Sequence, residues 1–177
     1  GCGSETIEPD TTAPAAITNL WVQSTGCDNV SLAWSAPGDD GSEGTAQSYD
    51  VRYSDVTITE TNWGSATECE GEPTPQAAGL TEHLTVPGLT PNTTYHFACK
   101  ASDDEGNESD LSNNASSAVG STAIEWVNDG TADDEDWAAS ASELSANWAD
   151  AACVTEYEYA LGTTQGATDV VDWTSRG

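Results

Sequence analysis

Residues 88–101 read GLTPNTTYHFACKA: a turn built on Gly88 and Pro91, followed by Tyr95, Phe97, Cys99 and Ala101 at every second position. Apolar side chains at period two line one face of a β-strand, which must lie against a core. The same alternation recurs on either side. Val30, Leu32 and Trp34 carry it in VSLAW, and Tyr49, Val51 and Tyr53 in SYDVRYS. Further strands are predicted at Ala15–Gln23, near Ala66–Glu70, at His83–Val86 and at Leu111–Val119. That makes seven strands in about 105 residues, separated by turns rich in Gly, Pro, Asp and Asn. No stretch sustains helical periodicity, so the pattern predicts an all-β sandwich or barrel.

Trp34 on the second strand, together with G-L-x-P-x-T-x-Y-x-F from Gly88 to Phe97, resembles the fibronectin type III family. The resemblance covers Thr12 to about Gly120 and implies an immunoglobulin-like β-sandwich. It implies that Trp34 fills the core and that Tyr95 closes the corner after the turn with its hydroxyl. A second copy then begins. LSANW (144–148) parallels VSLAW, EYEYALG (156–162) parallels SYDVRYS, and VVDWTS (170–175) parallels ITETNWGS. Trp34 and Trp148 are 114 residues apart and Trp63 and Trp173 are 110 apart, so the register drifts only by loop length. Trp148 is thereby expected in a core like Trp34, and Trp63 and Trp173 in equivalent packing positions.

The expected organisation is an acidic tether at 1–12, one complete module at 13–120 and the first half of a second at 121–177. Four strands without partners would expose a sheet edge and an apolar face. Either the chain continues in a longer multi-module protein, or a neighbouring molecule supplies the missing strands and repeated contacts build filaments. In the second case the partner is another copy of the chain or a neighbouring surface protein.

Charge narrows the partners. The chain has 31 acidic residues against three basic ones, Arg52, Lys100 and Arg176, for a net charge of −28. Phosphate binding needs the cations that are lacking, so nucleic acid is excluded as a partner, and an anionic membrane surface is disfavoured. Seven Trp and five Tyr in alternating runs argue for a folded chain despite the charge. Self-repulsion of this size is relieved by salt or by divalent cations.

No run of 18 or more apolar residues occurs. Membrane association is expected only through a lipid on Cys2, since Gly1-Cys2-Gly3-Ser4 resembles the end of a bacterial lipoprotein signal. Cys27, Cys69, Cys99 and Cys153 show no zinc-type spacing and are candidates for disulfides in an extracellular or cell-surface protein. Their pairing is open, and Cys99 is predicted to point into the core, where a reduced thiol is also content.

Catalysis needs a base, acid or nucleophile in a cleft. His83 and His96 read as surface histidines, and no nucleophile elbow, zinc helix or phosphate loop motif occurs. Calcium is the expected ligand. Asp39, Asp40 and Glu43 fall between the second and third strands, and Asp103, Asp104, Glu105, Asn107 and Glu108 between the sixth and seventh. In the fibronectin type III topology those loops share a pole, so hard oxygen ligands can converge there. A third acidic group, Asn128, Asp129, Asp133, Asp134, Glu135 and Asp136, follows the junction between modules.

These features predict a non-enzymatic extracellular or cell-surface protein of structural or adhesive type, which polymerises if the second sandwich is completed in trans. The alternatives are spacer modules of a larger secreted hydrolase, or a calcium-dependent binding module for a glycan or protein.

Overall fold

The computed structural model describes residues 9–120, Cys153, and the backbone of 127–128, 147–148, 157–161 and 171–176. The chain divides into two compact units, Gly1–Val119 and Gly120–Gly177.

The first unit holds β1 (Trp21–Thr25), β2 (Val30–Ser35), β3 (Ser48–Ser54), a 3-10 turn (Trp63–Ser65), β4 (Thr67–Glu68), β5 (Thr81–Val86), β6 (Thr94–Ser102) and β7 (Ala115–Ala118). One antiparallel sheet runs β1-β2-β5 and the other β4-β3-β6-β7. The alternating residues of both sheets meet in one cluster: Val30, Leu32, Trp34, Leu84 and Val86 from the first, with Tyr49, Val51, Phe97, Cys99 and Ala101 from the second. This is how a sheet with one wet face hides its apolar face. Trp34 is fully buried and meets the Tyr49 ring edge-on at 5.1 Å between centroids. After the turn, the Tyr95 hydroxyl accepts the Thr90 N–H at 3.3 Å.

The first strand is displaced from the Ala15–Gln23 expectation. Ile17 and Leu20 are buried, yet their backbone pairs with Asn113 rather than with a neighbouring strand. The Asn113 side chain accepts from the Leu20 N–H at 2.9 Å and donates to the Leu20 carbonyl at 2.9 Å. An amide side chain presents the same donor and acceptor as a peptide unit, so it can stand in for a ladder rung. The last strand is likewise shorter than expected, because Ser109 and Ser112 turn their hydroxyls onto the Ala101 and Cys99 N–H groups of β6.

Glu82 lies opposite Trp34 across β2 and β5 and is only 2% exposed. Burying a carboxyl is costly unless its oxygens are bonded. Its Oε1 accepts from the Tyr49 hydroxyl at 3.2 Å and from the Gln76 N–H at 2.6 Å, and Oε2 accepts from Gln76 Nε2 at 3.1 Å. Glu82 therefore ties the loop before β5 to both sheets. Glu82→Ala is expected to cost about 2–3 kcal/mol in urea unfolding, because three donors lose an acceptor, and Tyr49→Phe only about 1 kcal/mol. Equal costs for the two variants would show that the Gln76 arm contributes nothing.

Trp63 is held from outside the second sheet. The Arg52 guanidinium sits 4.8 Å and the Lys100 ammonium 5.5 Å from its ring centre. Each cation also has a carboxylate, Asp50 for Arg52 at 2.8 Å and Glu60 for Lys100 at 2.9 Å. Two of the three basic residues of the whole chain are thus spent on one indole, which a cation attracted to a ring face explains.

In the second unit, β8 (Val127–Asn128) pairs antiparallel with β9 (Asn147–Trp148), and β10 (Tyr157–Leu161) with β11 (Val171–Arg176). The repeat in sequence is looser in structure: Trp63 starts a 3-10 turn ahead of β4, whereas Trp173 lies inside β11. The side chain of Trp148 is outside the described residues.

Candidate functional site

The pole where β2 ends and β6 ends gathers charge. Between β2 and β3 the chain must turn tightly, and Gly38 permits it, since a Cβ there would meet the Glu43 backbone at 2.0 Å. The Asp39 N–H donates to the Glu43 carbonyl at 2.7 Å, which closes the loop. The chain ahead of β1 crosses this loop, with Ala15 N–H bonding the Gly41 carbonyl at 2.8 Å and Gly41 N–H bonding Ala13 at 3.1 Å. Beyond β6, Gly106 turns at φ +88°, a left-handed value that suits a residue without Cβ. Asn107 then folds back, donating from its backbone and its side chain to Asp103 at 2.7 Å each and to the Asp10 carbonyl at 3.2 Å.

These turns bring one carboxylate oxygen each of Asp10, Asp103 and Glu105 within 4.8 Å of one another. Asp39 and Asp40 feel the same charges, and Asp104 adds its own to Asp39 and Glu105. Burial acts to raise the Asp103 carboxyl, but the bonds from Asn107 and the neighbouring amides outweigh it and hold it below the usual carboxylate value. Asp39 is raised by partial burial and by Asp104, Asp103 and Asp10. Asp40 is raised by the Asp10 charge first. Glu105 is pushed up to about 7 by a hydrogen bond shared with Asp104, by desolvation, and by the charges of Asp104, Asp10 and Asp103. The pole is therefore a set of hard oxygen donors whose mutual repulsion a divalent cation would relieve.

Of the residues expected here from sequence, the structure brings together Asp103 and Glu105, while Asp39, Asp40 and Asp104 are linked to them through their charges. Glu43 serves through its backbone, and Asn107 is committed to Asp103. Asp10, on the tether, also belongs to the cluster. A topological signal could have found it: the residues before β1 start at the pole where β2 ends. Asp129, Asp133, Asp134, Glu135 and Asp136, like Cys2, lie outside the described residues.

The four thiols expected to pair divide into two kinds. Cys27 and Cys153 are disulfide-bonded, whereas Cys69 and Cys99 are free and buried. Cys99 lies opposite Val51 on one side of β3, and the Cys69 N–H bonds the Val51 carbonyl on the other side at 2.8 Å. Two strand spacings of about 4.8 Å exceed the ~7 Å Cα separation that a disulfide spans. Burial pushes both thiols up to about 12, which leaves them protonated and unreactive. Of the histidines, His83 is exposed and bonds Gln23 at 3.1 Å, and His96 is half-buried. His96 lies across the strands from Ser54 and Ser116, but among the described residues no hydrogen bond joins either histidine to a carboxylate, serine or thiol, as a general base would make.

The family model of the fibronectin type III domain matches residues 15–118. The chain belongs to the fibronectin type III family. A protein similar to it is chitinase Chi52 of Paenibacillus xylanexedens, 34% identical over 134 residues that make up 72% of this chain and 22% of that protein. The chain thus spans less than a quarter of that relative's length. Among solved structures, the chicken CNTN1 FN1–FN3 domains match at TM-score 0.45 and 19% identity, covering 66% of this chain and 38% of that one. FN3tt matches at TM-score 0.40 and 24% identity, covering 62% and 97%. Within the fibronectin type III module, the acidic pole is formed by the loops that leave β2 and β6 and by the lead-in to β1. No helix among the described residues is long and apolar enough to cross a membrane.

Proposed function

We propose that this chain is a non-catalytic accessory stretch of a larger exported polysaccharide-degrading enzyme, a spacer that sets its catalytic domain against an insoluble substrate. The observation that carries this reading is the likeness to a chitinase over 134 residues, more than the 104 residues of the matched module. Cys27 and Cys153 are each disulfide-bonded, which supports an oxidising, extracellular compartment. The antiparallel sandwich, stapled at Glu82 and closed at Tyr95, supplies the stiffness a spacer needs. We further propose that the acidic pole takes calcium, with Asp10, Asp103 and Glu105 as direct ligands and Asp39, Asp40 and Asp104 completing its charge. The adhesive or filament-forming reading yields to this one, since no observation among the described residues favours polymerisation.

Deleting this stretch from the parent polypeptide tests the proposal. Hydrolysis of a soluble chitin oligosaccharide should stay within about twofold, as a non-catalytic stretch requires, and hydrolysis of insoluble chitin should fall several-fold. A parent polypeptide without a hydrolase domain, or an equal loss on both substrates, would overturn it.

A further inference from the structure

The opposite pole carries a different surface. Ser48 pairs with Ser102 at the acidic end of the β3–β6 ladder, and Ser54 pairs with His96 at the other end. There Tyr53, Tyr95, Asp55, Ser65, Thr67 and Thr90 line a groove of about 510 Å³. That volume falls in the range of small-ligand sites, ~300–1,000 Å³. The two tyrosine rings meet edge to face, 5.6 Å apart at 81°, and both are half-buried. Each is therefore fixed in place while still offering part of a ring to solvent. The Asp55 carboxylate and the Ser65, Thr67 and Thr90 hydroxyls are exposed at the groove and make no side-chain hydrogen bond among the described residues.

We propose that this groove binds a short segment of a neutral oligosaccharide. The inference rests on the accessory-module reading and names the ligand of one of its surfaces. A pyranose ring presents polarised C–H groups on one face, which suit the negative face of a tyrosine ring. Its rim hydroxyls both donate and accept, matching three free hydroxyls and one acceptor-only carboxylate. A net charge of −28, with Asp55 at the groove, turns away anionic polymers. A basic peptide is the competing occupant, and the groove offers it a single carboxylate against several neutral hydroxyls.

The test is an NMR titration of the full chain with chitotetraose, cellotetraose, an oligogalacturonate and a lysine-rich peptide. Saturable shifts centred on Tyr53, Thr67 and Tyr95 are expected for a neutral tetrasaccharide, with a Kd on the order of 1 mM. The oligogalacturonate should leave them unmoved. Thr67→Arg, on an exposed strand end, should weaken binding at least tenfold, and Asp55→Ala about threefold, with the Trp34 and Tyr49 resonances unchanged as the check on folding. No shift at about 20 mM sugar, shifts centred elsewhere, indifference to Thr67→Arg, or tighter binding of the peptide would each overturn the proposal. Hydrolysis of insoluble chitin by the parent polypeptide separates this failure from that of the accessory reading. If deletion of the stretch lowers it and Thr67→Arg does not, the spacer role stands and the groove has no part in it.

Discussion

Calcium is expected to raise the melting temperature of the first unit by on the order of 10 °C when its concentration is about a hundredfold above the dissociation constant. The size follows from linkage: a ligand at 100 Kd that binds only the folded state adds about 2.7 kcal/mol, and each kcal/mol moves a domain of this size by several degrees. The sign follows from the geometry, in which Asp10, Asp103 and Glu105 face one another within 4.8 Å and Asp39, Asp40 and Asp104 add to the repulsion. Asp10→Asn and Glu105→Gln each remove a charge from that set. Both variants should therefore melt higher than the parent in chelator and gain less from calcium. Magnesium at equal ionic strength should do less, because it sheds its waters reluctantly and demands near-ideal octahedral geometry. The check is a thermal melt at constant ionic strength, followed by tryptophan fluorescence. Equal midpoints in chelator and in calcium would remove the site, and equal shifts with both metals would reduce it to general screening of charge.

Truncation of Trp34 has the other large effect. Trp34→Ala should cost about 3–5 kcal/mol, as removal of a fully buried indole does when the surroundings cannot close in. That is a third or more of the stability of an ordinary domain, so the variant is expected to be partly unfolded at 37 °C. Trp34→Phe should cost far less, about 1 kcal/mol. Among the described residues the Trp34 indole N–H meets no hydrogen-bond criterion, so phenylalanine gives up ring area and also removes an unpaired buried donor. Urea unfolding of the two variants separates these contributions. If Trp34→Phe proves as costly as Trp34→Ala, the N–H is bonded after all.

Much of the sandwich was legible because a strand with one wet face writes its orientation into alternate residues. Val30, Leu32 and Trp34, Tyr49 and Val51, and Phe97 and Cys99 alternate in the sequence and are buried in the structure. The β1 region was less legible. Ile17 and Leu20 are apolar and buried like strand residues, but their hydrogen bonds come from a side chain 93 residues away in the case of Leu20. Nothing local distinguishes a ladder rung from an asparagine that imitates one.

The candidate site divides in the same way. That the loops after β2 and β6 are acidic was plain from Asp39, Asp40, Asp103, Asp104 and Glu105, and the family's topology placed them at one end. That Asp10 joins them depends on the chain crossing over Gly41, a contact between segments far apart in sequence. The four cysteines were interchangeable as letters; the breadth of β3 is what keeps Cys69 from Cys99. Glu82 sits at an inward position of β5 where its charge would argue against burial, and only Tyr49 and Gln76 make that position tolerable.

The sequence by itself therefore determined the strand pattern, the fibronectin type III family and the polarity of the loops, since period-two alternation and turn chemistry act over a few residues. Tertiary structure alone decided which carboxylates meet, which thiols stay reduced, and that two tyrosines and four unpaired polar side chains share a groove. Each of these depends on distances across strands and between loops, and such distances are set by the packing of the whole sandwich rather than by any short stretch of chain.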